Sequence, residues 1–287
     1  PGETFTYEFS ADVPGTYWYH SHQEGSKQVD KGLYGALIVE PKNKEKIDRD
    51  YTLILDEWMD NPANDMESMQ GMGNDAMVGM GGMSDSKGAA SQSAGNADIK
   101  DEEMMATAYN IYTVNGKSGD LISPLEVKKG DIVRLRFINA GYRSHGIHIP
   151  GQDLKVVSTD GQDIDGAGII KDQILNIAPG ERYDVVFTVT TDDNFIIDAH
   201  DKNKFNDQLR IPVNVVDGNG KVRSESTPAQ MPIFDLTSYG KPGKGRFTLE
   251  QKYDVDYSVE LSTRLDNNNL KYTICLLYTS PSPRDRQ

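Results

Sequence analysis

PGERYDVVFTVTTDDNFIIDAH, residues Pro179–His200, lies without a gap against PGETFTYEFSADVPGTYWYHSH, residues Pro1–His22. Both stretches open on a Pro-Gly turn and run into a strand pattern. In the first, Phe5, Tyr7 and Phe9 alternate with Thr4, Thr6 and Glu8, which predicts a strand with one buried face. Such a match between distant segments marks an internal repeat, and the repeat decides the fold.

A second pair extends it. Asp48–Leu55 reads DRDYTLIL and Asp254–Leu261 reads DVDYSVEL. Tyr109–Gly116, YNIYTVNG, follows the first, and Asn269–Ile274, NLKYTI, follows the second. The chain therefore reads as the tail of one copy, a complete second copy and the head of a third. Leu125–Ile138 is two short alternating runs around a Lys-Gly-Asp turn, and Gln173–Val189 repeats that scheme around Pro179-Gly180-Glu181. Turn residues at this spacing predict an all-β sandwich of about eight strands in two packed sheets over residues 45–222. Residues 1–42 are expected to add strands beside it. A generic immunoglobulin-type sandwich repeat competes with this reading until the motifs are weighed.

Composition narrows the function. With 30 Lys and Arg against 44 Asp and Glu, the net charge is −14, which argues against nucleic acid or an anionic membrane as partner. No stretch nears the run of about 20 apolar residues that a membrane helix needs. Cys275 is the one cysteine, so no disulfide forms within the chain.

The two copies differ in one long insertion. Tyr51 and Tyr112 stand 61 positions apart, whereas Tyr257 and Tyr272 stand 15 apart, so about 46 residues are added, roughly residues 60–105. The insertion carries Met66, Met69, Met72, Met77, Met80, Met83, Met104 and Met105 among Gly, Ser, Asn and Asp. Methionine usually fills cores, but this glycine-rich setting offers none. Thioether sulfur is a soft ligand that selects Cu(I). Met66, Met69, Met72, Met77, Met80 and Met83 are thus candidate Cu(I) ligands, against the blander reading of a solvated linker.

Trp18-Tyr19-His20-Ser21-His22 ends a strand pattern. Residues two apart share a face, about 6–7 Å apart along the strand, so His20 and His22 can each take a different ion of a close metal pair. Imidazole suits copper. Residues 1–40 as a whole, together with LRFINAGYRSHGIHIPGQDLKVVSTDGQDI (135–164) and IAPGERYDVVF (177–187), resemble the multicopper oxidases, laccases and cuprous oxidases included. The resemblance runs to about residue 274, apart from the insertion.

That resemblance implies cupredoxin-like Greek-key sandwiches: residues 1–42 as the end of a first domain, 43–222 as the second, 223–245 as a linker and 246–274 as the start of a third. It implies four copper ions in the whole protein: one type 1, one type 2 and two type 3. His20 and His22 would be ligands of the two type-3 ions, and O₂ the electron acceptor. The reductant would be a small molecule such as a phenol, or Cu(I), and the location outside the cytoplasm. A copper-tolerance protein working through its methionines is the runner-up, and a cupredoxin-fold relative without copper is the third reading. The intact pair His20 and His22 argues against the third.

The second copy departs from the family pattern. Asp198 stands where His20 does, and only His22 keeps a counterpart, His200. The resemblance implies that this copy is a copper-free spacer, with His145, His148 and His200 at turns or edges. A residual metal site on those histidines is the competing reading. Asp56 and Glu57 read as loop residues. CLLYTSPSPRDRQ, Cys275–Gln287, breaks the repeat and resembles the read-through translation of a sequencing adapter, so Cys275 is not expected to bind copper.

Overall fold

The computed structural model describes residues 2–23, 25–43, 45–60, 109–201, 204–223 and 231–241, and shorter stretches between 251 and 278. Sixteen strands are described. They are β1 (Gly15–His20), β2 (Tyr34–Val39), β3 (Arg49–Met59), β4 (Tyr109–Val114), β5 (Leu125–Val127), β6 (Ile132–Asn139), β7 (His145–His148) and β8 (Leu154–Thr159). There follow β9 (Gln162–Asp163), β10 (Leu175–Ile177), β11 (Arg182–Thr188), β12 (Phe195–Asp201), β13 (Lys204–Val215), β14 (Leu261–Asp266), β15 (Asn269–Ile274) and β16 (Leu277–Tyr278). The Met-rich candidates fall outside the described residues.

β3 to β13 form the sandwich. One sheet has the order β4-β3-β6-β11-β8-β9 and the other β10-β7-β12-β13-β5. The alternation in Ile132–Ile138, IVRLRFI, explains the layering. Val133, Leu135 and Phe137 are wholly buried and face Val127, Ile147, Ile177, Ile197 and Ile211 of the second sheet in one apolar core. Arg134 and Arg136 point the other way, as strand period two requires. The two turns singled out in the sequence carry the chain from one sheet to the other: β5 belongs to the second sheet and β6 to the first, as β10 and β11 do. Gly130 (φ +89°) and Gly180 (φ +83°) make those crossings in the left-handed region, where a side chain would be strained.

The outer face of the first sheet receives β1, which pairs antiparallel with β2, His20 opposite Tyr34. The contact is polar and buried. Arg136, only 2 % exposed, holds Asp50 through both nitrogens Nε and Nη2 at 2.7 and 2.8 Å. Its Nη1 donates to Thr16 Oγ1 (3.0 Å), and Thr16 Oγ1 donates to Asp184 Oδ2 (2.9 Å). Paired this way, each buried charge has an opposite partner, although Asp184 Oδ1 and Arg134 Nε make no hydrogen bond.

One expectation fails here. Residues 2–14 hold no strand, and Phe5, Tyr7 and Phe9 are 67–82 % exposed. Their counterpart β11 is a strand because β6 and β8 flank it, whereas no described strand flanks residues 4–9; alternation without a neighbour's hydrogen bonds does not make a strand. In addition, a short helix, Gly25–Asp30, separates β1 from β2. β14 and β15 pair as a hairpin in the second of two compact units.

Candidate metal centre

His20 closes β1 and His22 lies two residues on. Their rings stand 4.7 Å apart between centroids at 77°. The Trp18 ring meets His20 edge to face at 4.1 Å, so Trp18, His20 and His22 form one ladder on one face. His22 is exposed and His20 half-buried. Burial first, and the neighbouring His22 second, hold His20 below the ordinary imidazole range. A neutral imidazole keeps a lone pair for a metal. Among the described residues no third imidazole, thiol or carboxylate joins this pair in a cluster.

Behind the ladder lies an acidic pocket. Trp18 packs 6.4 Å from Tyr34, whose hydroxyl donates to Asp56 Oδ2 at 2.5 Å. Asp56 and Glu57 are not loop residues. They lie within β3 and are 3 % and 1 % exposed. Burial pushes the Asp56 carboxyl up to about 7, helped by the neighbouring charges of Glu57 and Asp30 and opposed by the Tyr34 hydrogen bond. The sequence reading missed them because the strand runs on past the apolar Leu53-Ile54-Leu55.

The histidines of the second copy are not at turns or edges. His145 and His148 bound β7, which lies between β10 and β12 in its sheet, and both are buried. His145 stands apart from the others: its Nε2 is 3.0 Å from Glu57 Oε2, a polar link between the two sheets. The Glu57 carboxylate also accepts the backbone N–H of Arg143. His148 and His200 converge on Asp198. His148 Nδ1 lies 3.0 Å from Asp198 Oδ1, and His200 Nε2 lies 3.1 Å from the same oxygen. All three are buried, and their ligand atoms lie within 4.8 Å of one another.

Comparison with known proteins gives the family. A family model described as multicopper oxidase matches residues 49–219, and a second of the same description matches residues 1–44. Copper resistance protein A of Pseudomonas syringae pv. tomato is 29 % identical over 209 residues, covering 67 % of this chain and 34 % of that protein. A multicopper oxidase of Mycobacterium tuberculosis is 33 % identical over 196 residues, covering 66 % and 36 %. The chain thus spans about a third of the length of these relatives. The crystal structure of a blue copper oxidase from Nitrosomonas europaea aligns with a TM-score of 0.54 at 28 % identity, covering 84 % of this chain and 74 % of that one.

Proposed function

Because the chain belongs to the multicopper oxidase family, we propose that the whole protein couples one-electron oxidation of a phenol or of Cu(I) to the reduction of O₂ to water, with His20 and His22 as ligands of its two type-3 coppers. The observation that carries this is the Trp18-His20-His22 ladder on the end of β1. The residues fit copper: two imidazoles on one face, one of them held neutral, at the solvent-facing end of a strand fixed from behind by Arg136. Copper supplies one-electron steps, and four such centres together match the four electrons that O₂ takes up.

The chain's own residues orient and insulate. The edge of Trp18 limits rotation of the His20 ring. Thr16, 1 % exposed, fixes the register of β1 through Asp184, so the two histidines keep their spacing. Asp56, pushed up to about 7 behind Trp18, can gain or lose a proton near neutrality, and it accepts a hydrogen bond from Tyr34 on β2, the strand paired with the one that carries His20.

The insertion fits Cu(I) as a substrate. Met66, Met69, Met72, Met77, Met80 and Met83 offer thioethers with no competing thiol nearby in the sequence, and would gather the ion for oxidation. On this reading the protein works outside the cytoplasm, as the family resemblance implies; among the described residues no helix is long and apolar enough to cross a membrane.

The test is O₂ uptake by the copper-loaded whole protein with a phenol and with Cu(I). His22→Ala is expected to remove uptake while the blue absorbance at about 600 nm stays. Uptake within twofold of wild type would refute the assignment of the pair.

A further inference from the structure

His148, Asp198 and His200 converge in the copy that the family resemblance implies to be empty of copper. We propose that this triad binds one divalent ion of the imidazole-preferring kind, such as Zn(II) or Cu(II), and that it does so independently of His20 and His22. The backbone places the three together. Asp198 is paired across the ladder with His148, and His200 lies two residues further along β12, so all three side chains share one face of the sheet. That face is opposite the core, because Ile147, Ile197 and Ala199 turn the other way into it. Between Asp198 and Ala199 the register of β12 against β13 shifts, an irregularity of the sort that re-aims a side chain at a site. Gly146 permits the close approach: a Cβ there would come 2.3 Å from the His200 carbonyl oxygen.

The donor set also fits. Two imidazole nitrogens lie 3.0 and 3.1 Å from one carboxylate oxygen. Ligand atoms about 2.0–2.2 Å from a tetrahedral ion stand roughly 3.3 Å from each other, so a small inward movement completes a His₂Asp shell with a fourth position for water. Nearly full burial excludes competing solvent, and one carboxylate offsets half the charge of a divalent ion.

The second nitrogen of His148 separates a metal site from a plain hydrogen-bonded triad. His148 Nε2 is buried and has no hydrogen-bond partner, and Asp172 Oδ1 stands 3.7 Å from it. In a neutral, metal-free ring only one nitrogen carries a proton. If Nδ1–H donates to Asp198, the Nε2 lone pair faces the Asp172 carboxylate, which repels it. With an ion on Nδ1 the proton moves to Nε2 and points at Asp172. That is the carboxylate–histidine–metal relay, in which the outer carboxylate fixes the tautomer and strengthens the ligand. An imidazolium, with a proton on both nitrogens, is the metal-free arrangement that would also satisfy His148.

The repeat gives a second line. Asp198 and His200 occupy the positions that His20 and His22 hold in the first copy. An Asp-X-His on the same strand exchanges one nitrogen donor for an oxygen donor and lowers the charge of a loaded site by one. Such a site holds an ion without needing it to change oxidation state.

The experiment uses the 287-residue chain carrying His20→Ala and His22→Ala, with Zn(II) as probe, since thioethers do not compete for it. Equilibrium dialysis is expected to give one Zn(II) per chain, and X-ray absorption two imidazole nitrogens in its shell. Asp198→Asn should abolish that binding. Asp172→Asn, at a half-exposed position that threatens the fold less, should weaken it by about 10–100-fold. Circular dichroism in the near ultraviolet shows whether each variant has folded. Absence of stoichiometric Zn(II) in the folded double variant overturns the site and leaves the imidazolium arrangement. Binding that survives Asp198→Asn and Asp172→Asn unchanged overturns it as well. The outcome does not depend on O₂ uptake, so it and the type-3 assignment stand or fall separately.

Discussion

Asp56 shows how a single side chain sets a condition on the fold. Its carboxyl titrates at about 7 in the folded chain, well above the range of an unfolded aspartate near 3.9. Between those values the folded state holds a proton that the unfolded state has lost. Stability from this group is therefore full below about pH 4 and falls as pH rises to about 7, a loss on the order of a few kcal/mol. Asp56→Asn keeps the shape and the acceptor for Tyr34 but removes the titration. Its melting temperature is expected to change less than that of the wild type between pH 5 and 8, read by calorimetry. Equal slopes for the two proteins would place the titration elsewhere. At this scale the sequence was only partly legible. His20 and His22 could be proposed from spacing and context, whereas Asp56, Glu57 and the convergence of His148 with His200 depend on contacts between residues 22–88 positions apart, which no local pattern encodes.

Strands and turns were easier to read, because their signals are local. The alternation of Ile132–Ile138 and the glycines at 130 and 180 gave β5, β6, β10 and β11 nearly as found. The failure at Phe5, Tyr7 and Phe9 is instructive: period two states which residues would share a face, not whether a neighbouring strand is there to pair. What could not be read was how β1 meets the sandwich. That contact is polar: the Thr16 hydroxyl of β1 sits on the ion pairs that Arg136 makes with Asp50 and Asp184. Arg136→Met removes the cation and leaves Asp184, 1 % exposed, with the partly buried Arg134 as its remaining guanidinium. Removing one partner of a buried pair typically costs about 3–5 kcal/mol. Urea unfolding of Arg136→Met is expected to show a loss of about that size, and pairing the change with Asp184→Leu should recover part of it. A loss below about 1 kcal/mol would mean that Arg134 alone satisfies Asp184 and that Arg136 does not stabilise this face.

For the molecule as a whole, the repeat carried the sandwich, and the resemblance carried the chemistry. Taken by itself the 287-residue chain is expected to show no oxidase turnover. It has five histidines, three of them buried in the second copy away from the His20 ladder, and a blue site needs a cysteine thiolate with two histidines. The check is absorbance at about 600 nm together with O₂ uptake on copper-loaded chain; a blue colour would make Cys275 a true ligand. The docking of β1 also has a consequence in time. Thr16 and its partner Asp184 are 168 residues apart. A ribosome adding about 5–20 residues per second needs roughly 10–30 s to make the second after the first. Throughout that interval β1 has been made but the carboxylate that fixes its register has not, and β3 waits about 80 residues for its parallel neighbour β6. The register of β1 against the second copy is therefore fixed late in synthesis, well after its backbone pairing with β2 can form.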